Sequence, residues 1–420
     1  MSTPHSKFQA AWQPLRFDAI CSKRSEGYLP VRGGSQPYIG LEHIQQGVPA
    51  LESVGTESDV SSGKSKFEPK DVLFGKLRPY LRKAVIPGFA GVCSTDILVF
   101  TAREDIVPEY LLYLCHSDQF IKHAKATTSG VQHPRTSWAS LAEFQWNIPD
   151  KDEQRQIARV LATAQRAIEH QQAIIATTRE LKRSLMRKLF TEGLRGEPQQ
   201  QKEIGLMPES WDVVPLGKYA KIGNGSTPKR TKNEYWEDGH LPWLTSGKIH
   251  ESIICNADQF VTVLAAKECH LPTVSAGSVL VAITGQGKTL GNAALVTFDT
   301  HISQHLAYIT IVGDELYSPF IFRYLQSRYE YLRSIGRAGG STKAALTCGF
   351  LKSMSVPKPD PTEQKEIAEA FDVLDEKLAL AWRKHSQYSD IFRTLLHQLM
   401  TAQARVHELN LDSLGLPALD

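Results

Sequence analysis

The chain contains the sequence Glu153-Gln154-Arg155-Gln156-Ile157-Ala158 and, 210 residues later, the sequence Glu363-Gln364-Lys365-Glu366-Ile367-Ala368. A shared threonine near the end of each stretch, Thr191 and Thr401, keeps the same shift. Nothing is therefore inserted in one copy relative to the other. A repeat at a fixed shift is typical of a repeated architectural unit.

Each stretch carries apolar residues at alternating steps of four and three. This spacing averages about 3.5 residues and predicts a helix with a seam that faces another helix. The stretches lack Gly and Pro, and Asp152 and Thr362 are the predicted N-caps. At 1.5 Å per residue each helix is a rod of roughly 55 to 60 Å, a length suited to a spacer. The predicted seam residues are Ile157, Leu161, Ile168, Ile175, Leu185, Leu189, Ile367, Phe371, Leu374, Leu378, Tyr388, Phe392, Leu395 and Leu399.

An alternative interpretation makes these stretches two ordinary core helices of one globule. The common register across some forty positions favours paired spacer helices, which we expect to lie antiparallel.

The composition is that of a globular protein, with 41% hydrophobic and 22% charged residues and a net charge of +3. No apolar run reaches the roughly 18 residues that a membrane span needs, and the N-terminus lacks a signal-peptide core. We expect a cytoplasmic protein. Its six cysteines show no CxxC spacing, so neither a disulfide framework nor a metal site is predicted.

The remainder of the chain predicts two similar α+β regions, in which short apolar strand signals alternate with Gly- and Ser-rich turns. Trp12 and Trp211 begin the two regions, and the later strand signals recur in the same order. The predicted segments are recognition region 1 at 1–151, a spacer helix at 152–192, a flexible polar linker at 193–210, recognition region 2 at 211–360, a spacer helix at 361–405 and a tail at 406–420.

One stretch resembles a phosphate-binding loop, Ala282-x4-Gly287-Lys288-Thr289. A true loop of this kind leads into a helix whose N-terminal amides hold the phosphates. Here a Gly-Asn turn and a further strand signal follow, so we expect a hairpin instead. Other catalytic signatures, such as Gly-x-Ser-x-Gly and His-Glu-x-x-His, are missing from the sequence.

Basic, aromatic and amide side chains on glycine-punctuated loops fit a DNA surface, because Lys and Arg bind phosphates while Gln, Ser, His and Arg reach base edges. In region 1 these candidates are Lys64, Lys66, Lys76, Arg78, Tyr80, Lys83, Gln132, His133 and Arg135. In region 2 they are Lys229, Arg230, Lys248, Gln286, Lys288, Gln304, His305, Ser341, Thr342 and Lys343.

The chain resembles the specificity subunits of type I restriction-modification systems over nearly its whole length. The resemblance rests on two variable regions, each followed by a helix that opens with Glu-Gln-x-x-Ile-Ala, and on the loop Gly340-Ser341-Thr342-Lys343. The corresponding loop of region 1, Gly130-Val131-Gln132-His133, departs from the family pattern.

The resemblance implies a non-catalytic subunit that binds double-stranded DNA at a two-part site, one half per region, with the antiparallel helices setting the gap. It implies two methyltransferase subunits that bind S-adenosylmethionine, and restriction subunits that use ATP and Mg. No cofactor is expected on this chain. Two alternatives stay open, a nucleotide-dependent enzyme using Ala282 to Thr289 and a structural adaptor that does not bind DNA.

Overall fold

The computed structural model describes residues 12–285, 288–338 and 345–409. The contacts divide the chain into two compact units of mixed helix and sheet. Unit 1 holds Met1–Ile174 and Ala381–Asp420, and unit 2 holds Ile175–Leu380. Each unit therefore contains one predicted recognition region together with one half of each long helix.

The two repeated stretches form the longest helices of the described chain. The first long helix is Lys151–Glu192 and the second is Pro361–Met400. Every seam position predicted from the sequence is buried or half-buried. Gly193 follows the first helix with a φ of +64°, the left-handed conformation that glycine accepts without a Cβ clash.

The N-caps of both long helices lie two residues earlier than the sequence predicts. The carboxylate of Asp150 accepts a hydrogen bond from the backbone N–H of Asp152 at 3.0 Å, and Asp360 accepts one from Thr362 at 2.9 Å. The predicted caps, Asp152 and Thr362, are therefore wrong. Both already lie in the first turn, where their amides need a partner outside the helix.

Within each unit the halves of the two long helices run in opposite directions. In unit 2, Lys182 forms an ion pair with Asp375, and Glu363 accepts a hydrogen bond from the backbone N–H of Leu194 at 2.7 Å. Leu194 follows Lys182 along the chain, whereas its partner Glu363 precedes Asp375. The two helix halves of unit 2 are therefore antiparallel. In unit 1, Glu153 at the start of the first helix bonds Arg405, which follows the end of the second, at 2.7 Å.

Within residues 12–174 and 381–409, unit 1 contains three sheets and four shorter α-helices besides the long-helix halves. Two sheets are a pair, Gln13–Arg16 with Gln145–Ile148, and a four-stranded sheet in the order Cys21–Lys23, Ile97–Ala102, Val72–Gly75, Ala84–Val85. The third has the order Gly27–Tyr28, Lys64–Phe67, Gly91–Cys93, Pro37–Ile39, Gly55–Thr56. The helices are Phe17–Ile20, Pro108–His116, Asp118–Ala126 and Trp138–Ala142.

Unit 2 repeats this plan and adds a hairpin, Gln199–Lys202 with Gly205–Pro208. Its pair is Asp212–Pro215 with Ser355–Lys358, and its five-stranded sheet has the order Ala220–Asn224, Leu306–Ile311, Val279–Ala282, Ala293–Val296, Ile253–Ile254. A three-stranded sheet has the order Gln259–Val261, Leu241–Leu244, His301–Ile302. The helices are Val263–Glu268, Ser318–Ser327, Tyr329–Ala338 and Cys348–Ser353.

The added hairpin changes the interpretation of the predicted linker. The sequence predicts a flexible segment here because it is rich in Gln, Glu, Gly and Pro, yet the structure pairs two four-residue strands within it. Met207 and Trp211 at its end are 1% and 0% exposed. These two apolar side chains reach the core of unit 2, which holds the polar segment in a defined conformation.

The cores explain why the helices pack where they do. In unit 1 the side chains of Ile157 and Leu161 join those of Leu395 and Leu399 against the helix Pro108–His116. Unit 2 has the equivalent arrangement, in which Leu189 and Phe190 share a core with Ile367 and Phe371. Burial of these apolar side chains is the main favourable contribution to the packing. Among the described residues, no helix is both long enough and apolar enough to span a membrane.

The repeated Glu-Gln signature anchors each recognition region to the start of a long helix. The side-chain carbonyl of Gln154 accepts from the backbone N–H of Val107 at 2.8 Å, while its amide donates to the carbonyls of Asp105 and Pro149 at 3.1 and 3.0 Å. Nearby, Glu153 accepts from the indole N–H of Trp12 at 3.1 Å. These bonds satisfy a buried amide and fix the register of the region against the helix.

Unit 2 repeats the same contacts. Gln364 accepts from the backbone N–H of Tyr317 at 2.8 Å and donates to Glu315 and Pro359 at 2.8 and 2.9 Å. Glu363 accepts from the indole of Trp211 at 3.0 Å. In the sequence the Glu-Gln signature indicates only a repeat. In the structure its side chains attach each recognition region to a long helix.

Candidate nucleic-acid interface

In unit 1 two loops lie side by side and bring several candidate residues together. The backbone N–H of Arg78 donates to Pro134 at 2.8 Å, and that of Thr136 donates to Lys76 at 3.1 Å. We call the exposed and half-exposed side chains of these loops patch 1, which consists of Lys76, Arg78, Tyr80, Gln132 and His133. Cations, an aromatic ring and base-reading groups are thus presented on one surface.

The tip of patch 1 is held by an ion pair that the sequence does not reveal. Asp96 accepts two hydrogen bonds from the guanidinium of Arg135, at 2.8 and 3.1 Å. The bonded guanidinium keeps the pKa of the Asp96 carboxyl below its ordinary value. Ser129 and Arg135 exchange backbone hydrogen bonds of 2.9 and 3.0 Å that close the loop. Arg135 therefore positions the loop, and Gln132 and His133 are exposed on it.

Three other candidate lysines of unit 1 have partners within the protein. Lys64 is buried and donates to both oxygens of Ser62 at 2.7 Å. Lys66 forms an ion pair with Glu26 at 2.6 Å, and Lys83 donates to the carbonyl of Leu41 at 2.6 Å. Their charges are engaged in local structure, so they are weaker candidates than patch 1 for phosphate contacts.

In unit 2 the guanidinium of one arginine lies close to the rings of two tryptophans. The guanidinium carbon of Arg230 lies 3.7 Å from the ring centroid of Trp236 and 5.2 Å from that of Trp243. Arg230 also donates to Gln259, and the indole of Trp236 donates to the carbonyl of Lys229 at 3.2 Å. Stacking on the aromatic faces orients an exposed guanidinium, as a preformed anion or base contact requires.

A second group of candidates in unit 2 surrounds the strand end at Ala282. The hydroxyl of Thr284 lies 2.6 Å from Nδ1 of His305, and the exposed Gln304 precedes that histidine. Leu346 donates its backbone N–H to Ile283 at 2.8 Å, so the segment that follows residue 344 reaches the same place. We call three exposed residues patch 2: Gln304, His305, and Lys288 of the hairpin that follows this strand end, whose backbone carbonyl accepts from Tyr329 at 2.8 Å. Gln286, Ser341, Thr342 and Lys343 lie outside the described residues.

Lys248 is compensated by acidic and amide groups of its own surroundings. Its ammonium lies 2.6 Å from Glu251, 3.2 Å from Asp258 and 2.8 Å from the side-chain oxygen of Asn256. The hydrogen bonds that the Lys248 ammonium donates to Glu251 and to Asp258 raise the pKa of Lys248. This predicted DNA contact has little net charge to offer a phosphate.

The loop from Ala282 to Thr289 lacks the helix of a phosphate-binding loop. The strand Val279–Ala282 precedes it and the strand Ala293–Val296 follows a turn. The described residues from 288 to 292 form no helix, so they present no helix N-terminus to a nucleotide phosphate. The described residues also contain no group of three or more His, Cys, Asp or Glu side chains placed to hold a metal ion.

Neither Asp96 nor Thr284 was predicted from the sequence, although for Asp96 a repeat signal was available. Ser94-Thr95-Asp96 and Ser303-Gln304-His305 occupy equivalent turns, because Ser94 donates its backbone N–H to Ile39 and Ser303 donates to Leu244, both at 2.9 Å. Alignment of the two regions on these serines would have placed Asp96 opposite His305.

The comparisons with known proteins agree with this architecture. The family model of the type I restriction modification DNA specificity domain matches the chain twice, at residues 20–177 and 208–387. A Methanocaldococcus jannaschii protein assigned as the MjaX type I restriction enzyme specificity subunit is 28% identical over 387 residues, 88% of this chain and 87% of that protein. The MjaVIII specificity subunit of the same organism is 22% identical and covers 90% and 88%.

Two solved structures share the fold. The type I restriction-modification S subunit from M. genitalium has a TM-score of 0.61 at 16% identity, covering 92% of this chain and 96% of that one. A chain from a study of complex assembly and conformational transition in a type I R-M system has a TM-score of 0.57 at 20% identity, covering 94% and 99%.

Proposed function

This chain belongs to the family of type I restriction-modification DNA specificity proteins, and from that premise we propose that it reads a two-part double-stranded DNA site, one part with each recognition region. The repeated anchor carries the proposal. Gln154 and Gln364 fix the two regions to the long helices through the same three hydrogen bonds, whereas the loops above these anchors differ in sequence. The same attachment to the long helices combined with different loops suits two regions that recognise different DNA sequences.

The exposed groups support a division of labour at each reader. Lys76 and Arg78 in patch 1 and Lys288 in patch 2 offer positive charge for phosphates, which positions a protein on DNA without reading sequence. Gln132 and His133, and likewise Gln304 and His305, offer donors and acceptors that match base edges in the major groove. We assign sequence reading to these four side chains.

The long helices serve, in this proposal, as the spacer that sets the unread gap between the two half-sites. Their antiparallel course within each unit and their buried seams support it. We propose that the two regions are related by a pseudo-twofold axis, as an antiparallel pair of equivalent helices would require. The length of the long helices then sets the number of unread base pairs between the two half-sites.

Catalysis belongs, in this proposal, to separate partners. Two methyltransferase subunits bring S-adenosylmethionine, and restriction subunits bring ATP and Mg, while this chain supplies the DNA sequence to be modified. The chain itself holds no cofactor in this scheme. The chain then determines the specificity of its partners by positioning them at the DNA site that it binds.

Mapping of methylated adenines in cells that express this chain with its methyltransferase partner tests the proposal. We expect one two-part motif with a fixed gap. Exchange of residues 1 to 150 for the matching region of a relative should change one half of the motif and leave the other half and the gap unchanged. The matched control exchanges residues 211–360 and should change only the other half. A change of both halves after either exchange contradicts the model of two independent readers, and no DNA binding by the assembled complex would favour an adaptor.

A further inference from the structure

A cluster of charged residues lies where recognition region 2 meets both long helices; its central arginine is buried, Lys182 and Asp375 are partly buried and Asp372 is half exposed. Arg323, on the helix Ser318–Ser327, has a side chain that is 0% exposed and forms ion pairs of 2.6 Å with Asp372 and with Asp375 of the second long helix. Asp375 also pairs with Lys182 of the first long helix. Burial lowers the pKa of Lys182, while Asp375 opposes that change. The cluster contains two positive and two negative charges, so its net charge is zero.

In unit 1 the three positions equivalent to Lys182, Arg323 and Asp375 hold neutral residues. At the 210-residue shift of the repeat, Arg323 corresponds to Tyr113, Asp375 to Gln165 and Lys182 to Phe392. The contacts correspond as well, because the hydroxyl of Tyr113 donates to Gln165 at 3.3 Å and its ring meets that of Phe392 edge-on at 6.1 Å. One junction is thus ionic and the other aromatic and neutral.

This difference matters because the two long helices are otherwise alike. Each presents a similar apolar seam, so a second copy of the chain could offer each helix a copy of itself as an antiparallel partner. Pairing of two first helices would take Lys182 away from Asp375 and put it beside Tyr113 and Gln165, and the carboxylate nearest Gln165, that of Glu169, already accepts a hydrogen bond from the Gln165 amide at 2.8 Å. Pairing of two second helices would put Phe392 beside Arg323, Asp372 and Asp375 and leave one negative charge in excess. A buried charge without its partner is strongly unfavourable.

We propose that the ionic junction of Lys182, Arg323 and Asp375 selects the helix partner, so that each long helix pairs with the other long helix and rejects a second copy of itself. The apolar seams alone do not distinguish pairing with the other long helix from pairing with a second copy of the same helix. The charged residues do, because they make the second kind of pairing unfavourable. The selection prevents the formation of chain pairs in which two identical recognition regions flank one helix pair. It concerns assembly and does not depend on the proposed DNA function.

The test uses the full-length chain carrying two different affinity tags and co-expressed in one cell. The triple variant Lys182→Phe, Arg323→Tyr, Asp375→Gln gives unit 2 the neutral junction of unit 1. We expect capture through one tag to recover the other tag at least tenfold more for this variant than for the wild type. Lys182→Arg keeps the charge and should behave as the wild type.

Lys182→Phe alone guards against a triple variant that fails to fold, because it leaves Arg323 with both aspartates. It makes the first helix match its own copy and should also raise recovery of the second tag. The proposal is overturned if a folded Lys182→Phe variant exchanges tags no more than the wild type, or if Lys182→Arg raises exchange equally.

Discussion

The side-chain carbonyl of Gln154 accepts a hydrogen bond from the backbone N–H of Val107 at 2.8 Å, across 47 residues of sequence. The contact joins the first turn of a long helix to the segment that starts the buried helix Pro108–His116. Gln364 makes the same contact with Tyr317 at 2.8 Å. The pair of glutamines therefore determines where each recognition region sits on its helix.

Replacement of this glutamine should destabilise the unit that contains it. Gln154→Ala removes one acceptor and one amide donor and leaves the buried backbone groups of Val107 and Pro149 unpaired, at an expected loss of about 2 to 4 kcal/mol in the free energy of unfolding. Chemical denaturation measures the loss. The surface change Gln172→Ala on the same helix is the matched control and should stay within about 0.5 kcal/mol. A loss below about 1 kcal/mol for Gln154→Ala would contradict the anchoring role.

The ion pair of Asp96 and Arg135 should control the order of the loop that carries Gln132 and His133. Asp96→Asn removes the carboxylate but keeps the shape of the side chain. We expect the backbone amides of Ser129 and Arg135 to exchange hydrogen with solvent at least about tenfold faster, because their mutual bonds lose this support. Hydrogen exchange with mass spectrometry measures the rate. Lys66→Ala removes a different ion pair of the same unit and should leave these amides unchanged; equal exchange in Asp96→Asn and wild type would refute the prediction.

Buried His116 should make unit 1 less stable in mild acid. Its Nε2 lies 3.0 Å from the carbonyl of Ala84, and burial lowers the pKa of this imidazole to about 4 from an ordinary 6.5. The unfolded chain therefore binds the proton first as the pH falls, and the folded state loses stability below about pH 6.5.

The expected loss from this group is about 2 kcal/mol between pH 7.5 and pH 5. His116→Gln cannot take up the proton, so the stability difference between wild type and variant should shrink by that amount over the range. Denaturation curves at several pH values measure the difference. A difference that does not vary with pH would show that His116 does not titrate on unfolding.

Exposed lysines and lysines that form ion pairs within the protein should differ in their effect on DNA binding. Lys288→Ala removes an exposed charge and should reduce the slope of log affinity against log salt by about one. Lys248→Ala is the matched control, because Glu251 and Asp258 already compensate that lysine. Binding titrations of the complex with its methyltransferase partner at several salt concentrations measure the slopes. Equal slopes for Lys288→Ala and wild type would remove Lys288 from the interface.

Lengthening one spacer helix should lengthen the unread gap. Insertion of four residues between Gln171 and Gln172 adds about 6 Å to the first long helix. That distance is close to two steps of 3.4 Å along a DNA strand, so the gap should grow by one or two base pairs. Methylation mapping of the insertion variant beside its parent reads this directly. An active variant with altered half-sites and an unaltered gap would show that the helices are not the ruler.

The repeat alone was enough to predict both long helices and two α+β regions, because period and shift are visible in one dimension. The seam residues follow from the same spacing, since a helix places residues three and four apart on one face. The absence of a helix after Thr289 is also readable, because a Gly-Asn turn and a strand pattern follow it. These features depend on neighbours in sequence.

The tertiary structure decided which polar side chains are free to act. Lys64, Lys83, Lys248 and Arg135 look equivalent to Lys288 in sequence, yet each is held by an oxygen brought near it by the fold. The predicted linker gained a hairpin for the same kind of reason, since the burial of Trp211 outweighs the polar composition around it. The sequence determines the charge of a side chain, whereas the fold determines which groups lie next to it. A charge that is compensated by a neighbouring oxygen contributes less to any contact with DNA.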